Sequence, residues 1–152
     1  MGIGVALAGG GFKGAAHVGA LKALEELGIE IEYISGTSSG SVFAVMYALG
    51  YSLEEIKELG TKFQKKCTKI KKMPLIKGAS KFIFTRKLNL GGFINGKIVE
   101  KMIDEIAQKK GITKFSDFNK NIAIITVDAK STKECILWNG EEKFRRRCGL
   151  YF

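Results

Sequence analysis

Ser38 stands in the run Gly36-Thr37-Ser38-Ser39-Gly40, a Gly-x-Ser-x-Gly pattern. The run falls between a predicted strand and a predicted helix, the setting that a nucleophile elbow requires. Acyl-transfer chemistry accounts for the residue types. A serine hydroxyl reaches a substrate carbonyl when a tight strand-to-helix turn lifts it above the sheet edge. Gly36, Thr37, Ser39 and Gly40 are small enough for such a turn. The helix behind them aims its positive dipole end at the place where an oxyanion develops. Taken alone, the motif also fits a Gly/Ser-rich connection with no chemistry.

A second cluster, Gly9-Gly10-Gly11-Phe12-Lys13-Gly14, follows an earlier predicted strand and precedes a helix. Stabilising an oxyanion needs backbone N–H groups aimed at one point. A glycine run lets a substrate approach the backbone with no side chain in the way. The same residues spell Gly9-x-Gly11-x-x-Gly14, the dinucleotide fingerprint. That reading wants an acidic residue near the end of the second strand. The strand instead runs into Ser35-Gly36, and Glu32 lies too early. A dinucleotide-binding module stays the third reading. A P-loop is excluded, because no Gly-Lys-Ser/Thr follows the glycines.

Gly-x-Ser-x-Gly hydrolases usually order their triad as Ser, acid, His. The one histidine, His17, precedes the serine and sits one turn into the first helix. It reads as a packed or surface helix residue. A serine hydrolase built from this sequence therefore needs another base, such as a carboxylate.

The elements that must position these groups follow from apolar spacing. Residues 3–8 read as a short buried strand. Ala15 to Leu27 has helical spacing, with Ala16, Ala20, Leu21, Leu24 and Leu27 on one side and Gly28 closing it. Tyr33-Ile34-Ser35 reads as a second strand, followed by an apolar helix that ends at Gly50. Ser52-Leu53-Glu54-Glu55 is a capping box. Ile98 to Lys109 is an amphipathic helix with Val99, Met102, Ile103 and Ile106 on one face. Asn121 to Val127 reads as a buried parallel strand and Glu134 to Trp138 as an edge strand. Alternating strands and helices predict a three-layer α/β/α fold with a mostly parallel sheet.

The 152 residues make about one domain. They hold 25 Lys+Arg against 15 Asp+Glu, and 45% are apolar, enough for a core. The charge is local. Thr61 to Val99 contains ten Lys, one Arg and no Asp or Glu; the other residues hold 14 basic and 15 acidic groups. This excludes a uniformly basic molecule and points to one basic surface. Three Cys without CxxC spacing argue against a disulfide framework or a zinc site, and no metal site is expected. No basic n-region opens the chain, and the longest near-apolar stretch, Ser41 to Leu53, is too short to span a bilayer. A cytoplasmic location, with peripheral membrane contact, is the expectation.

The two glycine motifs, extended as Gly9-Gly10-Gly11-Phe12-Lys13-Gly14-Ala15-Ala16-His17-Val18-Gly19-Ala20-Leu21 and Gly36-Thr37-Ser38-Ser39-Gly40-Ser41, resemble those of the patatin-like phospholipases, most closely the bacterial members. Gly91-Gly92-Phe93-Ile94-Asn95-Gly96 and Thr126-Val127-Asp128-Ala129 extend the likeness to about Asn139. The resemblance implies an α/β-hydrolase-like fold and a Ser–Asp dyad without catalytic histidine. It implies a lipid or phospholipid ester as substrate and no cofactor. Ser38 is then the nucleophile. Gly9 to Gly14 form the oxyanion loop, with Gly10, Gly11 and Phe12 offering N–H groups. Lys13 stands where the family usually has Arg, keeping the charge but not the planar fork.

The family's catalytic Asp lies in an Asp-Gly-Gly or Asp-Gly-Ala motif. No Asp in this chain is followed by Gly, and none occurs after Asp128. Asp128 matches a strand-end Asp that is not the dyad base, while Asp104 and Asp117 match no motif. Residues 140–152, with Arg145-Arg146-Arg147-Cys148, form an atypical tail. The expectation is a single patatin-like domain over 1–152, truncated or frameshifted near residue 140 and weakly active or inactive.

Residues 61–97 form a basic, cap-like segment. Lys65, Lys66, Lys69, Lys71 and Lys72 interleave with Phe63, Ile70, Met73, Leu75 and Ile76. Such a mixture suits an anionic membrane surface, where each Lys contributes on the order of 1 kcal/mol. The resemblance places the segment at the active-site mouth. A solvated Lys-rich face is the plain alternative. No nucleic-acid partner is expected, since Arg86 is the only arginine of the segment. The runner-up function is a non-catalytic fragment that binds anionic membranes.

Overall fold

The computed structural model describes residues 2–71, 96–128 and 131–139. Strand β1 (Ile3–Leu7) leads through a 3-10 turn (Gly11–Ala15) into helix α1 (Ala16–Glu26). Strand β2 (Ile31–Thr37) leads into α2 (Ser39–Ala48), then α3 (Leu53–Lys71) and α4 (Gly96–Lys109). Strands β3 (Asn121–Val127) and β4 (Glu134–Trp138) follow.

The sheet order is β1-β2-β3-β4. β1 is parallel to β2 and β2 to β3, while β4 runs antiparallel as an edge strand. This is the expected α/β fold with a mostly parallel sheet. Parallel crossovers are right-handed. Because the first three strands advance in one direction, both crossovers fall on the same face. Accordingly α2 rests on β1, β2 and β3, and α1 and α3 pack beside it.

One apolar core fills that layer. Leu7, Leu21, Ile34, Met46, Ile56 and Ile122 lie within it. α2 is buried nearly all round, as its continuous apolar sequence requires. α4 buries Met102 and Ile106, as its period predicts. On α1 the buried side is narrower than expected. Leu21 is buried and Val18 and Leu24 pack against the core, but Leu27 is 73% exposed. Leu27 already stands past the helix, where Gly28 at φ 68 turns the chain away.

β3 was expected to be buried throughout, yet only Ile122 is fully so. Its even-numbered residues face the helices. Its odd-numbered ones share the opposite sheet face with Tyr33 and Ile136. Among the described residues no element covers that face, and Val127, Tyr33 and Ile136 are 41–60% exposed.

The capping box is present in both directions. Ser52 N–H donates to Glu55 Oε2 at 2.8 Å, and Glu55 N–H to Ser52 Oγ at 3.2 Å. The helix it opens runs further than expected, into the basic segment as far as Lys71. Cys135 is buried and disulfide-bonded, a bridge that the odd cysteine count had not suggested. Among the described residues, no helix is long and apolar enough to cross a membrane.

Candidate active site

The turn from β2 into α2 is tight because both of its glycines are pressed against backbone. A Cβ on Gly36 would stand 2.6 Å from the carbonyl of Gly40 and from Ser41 Cα. A Cβ on Gly40 would stand 2.1 Å from the Leu7 carbonyl oxygen. Any larger residue would push α2 off β1. Between them Ser38 adopts φ 53, ψ −125, a conformation that disfavours a side chain by roughly 1–3 kcal/mol. Ser41 Oγ–H donates to the Ser38 carbonyl and helps hold the turn. The Ser38 side chain is exposed at the carboxyl edge of the sheet. A tight strand-to-helix turn that leaves its serine exposed is what a nucleophile elbow would require.

The glycine loop after β1 meets that turn directly. A Cβ on Gly9 would lie 3.0 Å from Ser38 Cβ and 3.4 Å from the Thr37 oxygen. Gly11 has φ 58, which needs glycine. Gly10 N–H, expected among the oxyanion donors, instead donates to Ser39 Oγ at 3.1 Å and ties the loop to the turn at Ser38. Lys13 N–H donates to the Gly10 oxygen at 3.2 Å. Gly14 is buried, with room for no side chain: a Cβ there would lie 2.9 Å from the Phe43 ring and 3.1 Å from Ser39 Oγ.

A cleft of about 960 Å³ opens over both motifs. Gly10, Gly11, Phe12, Ser38, Ser39 and Ser41 form one wall. Val18, Val42, Phe43, Leu53, Phe63 and Val99 form an apolar lining. Lys22, Glu54, Lys57 and Gln64 supply its longer polar side chains. A mostly apolar cavity with few convergent polar groups is what a bound organic chain needs. Phe12 is 44% exposed.

The sequence-derived residues thus divide by role. Ser38, Gly10, Gly11, Phe12 and Ser39 line the cleft. Gly9, Gly14, Gly36 and Gly40 allow close backbone packing beneath it. Thr37 pairs with Ile125 in the sheet. Lys13 reaches the loop through its backbone N–H.

No acid stands at the end of β2, and Glu32 lies near its start, so the dinucleotide reading gains nothing from the fold. Among the described residues no cluster of His, Cys, Asp and Glu forms a metal site.

The carboxylate among the described lining residues is that of Glu54. Asp117 accepts from its own turn at Lys114 N–H and from Ser116 Oγ–H. Asp128 closes the β3–β4 turn, its carboxylate accepting from Ser131 Oγ–H at 2.6 Å. Of the basic segment, Thr61, Phe63 and Gln64 line the cleft, while Lys62, Lys65 and Lys66 are exposed on α3. Lys62 makes a 3.7 Å contact with Glu58 one turn away, between two well-exposed side chains. The side chains of Lys69, Lys71 and Lys72, and the tail 140–152, lie outside the described residues.

His17 contributes more than sequence reading assigned to it. Its Nε2 lies 2.8 Å from the Ala8 oxygen, and its ring meets Phe43 edge-to-face at 6.0 Å. The signal was its spacing, one helical turn beyond the glycine loop. Gly19 and Gly60 also line the cleft. Each is a glycine inside a helix, a residue type that weakens helices and so asks for a reason. For Gly60 the reason is Phe43, whose ring would sit 3.1 Å from an added Cβ.

The chain matches the model of the patatin-like phospholipase family over residues 5–147. It is 37% identical over 130 residues to an uncharacterized protein of Acanthamoeba polyphaga mimivirus, covering 82% of this chain and 41% of that protein. It is 33% identical over 117 residues to the uncharacterized protein YqhO of Bacillus subtilis, covering 74% and 38%. It is 41% identical over 73 residues to lysophospholipase NTE1 of Yarrowia lipolytica, covering 48% of this chain and 5% of that protein. The chain therefore spans about two-fifths, or far less, of the length of these relatives.

Proposed function

The chain belongs to the patatin-like phospholipase family, and from that premise we propose that it carries the nucleophile half of a lipid acyl hydrolase. Ser38 Oγ bonds to the carbonyl carbon of a lipid ester while its proton passes to a carboxylate base. The carbonyl oxygen becomes an oxyanion, held by the Gly11 and Phe12 N–H groups with the α2 N-terminus behind them. The alcohol leaves with the proton, and water then hydrolyses the acyl-serine. The acyl chain lies in the apolar cleft.

The base is an Asp that this sequence does not contain in the expected motif, since no Asp here precedes a Gly. A longer chain supplies it in this reading. What carries the proposal is one observation: Ser38, a non-glycine residue, is held at φ 53 in the wall of a large apolar cleft beside a glycine loop. A relative named as a lysophospholipase supports a lipid ester as substrate.

Labelling with a fluorophosphonate tests it. The probe should add its mass to Ser38 and leave the Ser38→Ala variant untouched. A full-length, folded protein that remains unlabelled at high probe concentration would reject the nucleophile role.

The position of α3 favours a membrane-facing mouth as part of the same reading. Phe63 and Lys57 line the cleft while Lys62, Lys65 and Lys66 are exposed on the same helix. Apolar and cationic groups so placed suit an anionic lipid surface.

A further inference from the structure

The oxyanion loop opens with three consecutive glycines, and glycine by itself holds no peptide plane in place. A run such as Gly9-Gly10-Gly11 would sample many conformations. Oxyanion stabilisation needs the opposite, because donors help only when they are aimed before the charge forms. Something outside the loop must therefore fix it.

Three hydrogen bonds hold it, one for each successive peptide plane, and two of them come from outside the loop. The Ala8 oxygen faces His17 Nε2 at 2.8 Å. A carbonyl carries no hydrogen, so Nε2–H is the donor. The same oxygen stands 2.8 Å from where a Cβ on Gly40 would be, so α2 confines it from another side. The next plane is held by Gly10 N–H donating to Ser39 Oγ at 3.1 Å. The third is held by the Gly10 oxygen accepting from Lys13 N–H at 3.2 Å. In a trans peptide the N–H points opposite to the C=O. Fixing the Gly10 oxygen therefore fixes the direction of Gly11 N–H.

The last of these bonds is local to the 3-10 turn. The first two come from side chains on α1 and α2. The His17 ring is itself held edge-to-face by Phe43, a buried residue of α2. The glycine loop is thus clamped by the two helices that flank the site.

We propose that His17 and Ser39 are positioning residues, which aim the oxyanion donors of this site by locking consecutive peptide planes of the Ala8–Gly11 segment. His17 is then neither a base nor a plain surface residue. Ser39 acts through Gly10 and leaves the nucleophilic role to its neighbour Ser38. The proposal rests on the assignment of Ser38 as nucleophile, and its test separates the two.

Full-length wild type, His17→Phe, His17→Gln and Ser39→Ala would be compared in two measurements. The first is the rate of fluorophosphonate labelling, resolved into maximal rate and half-saturating concentration. His17→Phe keeps a ring against Phe43 and removes the donor. Its maximal labelling rate should fall at least tenfold, with half-saturation within twofold and a melting temperature close to wild type. His17→Gln restores an N–H and should recover most of the rate. Ser39→Ala should also lose at least threefold.

The second measurement needs no reactivity. Amide hydrogen exchange over residues 9–13 should speed up at least tenfold in His17→Phe and in Ser39→Ala, with α2 and β2 unchanged. Wild-type labelling kinetics in His17→Phe, or rate losses that merely follow a lower melting temperature, would overturn the clamp. If no variant reacts, including wild type, the nucleophile assignment falls, and unchanged exchange over residues 9–13 would then overturn the clamp as well.

Discussion

Gly40, at the start of α2, lies so close to Leu7, at the end of β1, that an added Cβ would stand 2.1 Å from the Leu7 carbonyl oxygen. That contact seats the helix N-terminus on the sheet edge and brings the turn at Ser38 against the glycine loop. All three obstructing atoms, the Leu7 carbonyl carbon and oxygen and the Ala8 oxygen, belong to backbone and have little freedom to move. Gly40→Ala should therefore lower the unfolding free energy by about 1–3 kcal/mol or more. Urea denaturation would check this, and a wild-type midpoint would show that α2 moves aside freely.

Ser38 should be a residue where stability and reactivity oppose each other. At φ 53 only glycine sits without strain. Ser38→Gly should abolish probe labelling and raise stability by roughly 1 kcal/mol. A variant less stable than wild type would mean that the turn is not strained.

Gly19 lies within α1, lines the cleft and would meet nothing within 4 Å among the described residues if it bore a Cβ. Neither packing nor φ explains a glycine there. Gly19→Ala should stabilise the helix by up to ~1 kcal/mol and slow labelling by long-chain phosphonates more than by short ones. Equal slowing of both would place Gly19 away from the acyl path.

Tyr47 carries a phenol whose pKa is pushed up to about 12, first by burial and then by its hydrogen bond and charge interaction with Glu25. The folded state thus holds the proton more tightly than the unfolded chain, whose tyrosine titrates near 10. The contribution to stability is complete below pH 10 and is lost as pH rises from 10 through 12. Melting temperature should fall across that window, and Tyr47→Phe should flatten the fall. An equal slope in both proteins would assign the loss to other groups.

If the exposed lysines of α3 meet lipid, cosedimentation with vesicles should require anionic headgroups and weaken as salt rises. Charge reversal at Lys62, Lys65 and Lys66 together should reduce binding at least threefold. Binding that ignores both salt and this reversal would assign it to apolar contact elsewhere.

The elements were legible from residue spacing because each carries its own punctuation. Gly28, Gly50 and Gly111 end their helices at positive φ, and the Ser52–Glu55 box opens α3. The tight turn around Ser38 was legible for the same reason: its glycines are a local consequence of close backbone packing. The extent of burial was not. Leu27 and Val127 look like core in the sequence, yet both are exposed. Their surroundings depend on which elements cover each face, and periodicity does not contain that.

The sequence alone thus determined the strand–loop–helix units, the two glycine motifs and the residue types able to attack and to stabilise a charge. All of these are encoded within a few consecutive residues. Tertiary structure decided that Gly9 touches Ser38, that Ser39 holds Gly10 and that His17 holds Ala8. Gly9 and Ser38, like Gly10 and Ser39, are 29 residues apart and belong to different strand–helix units. They meet because parallel pairing aligns the carboxyl ends of β1 and β2 and right-handed crossovers bring α1 and α2 to one face. His17 and Ala8 are only nine residues apart, yet the turn between them had to close before the ring could reach the carbonyl.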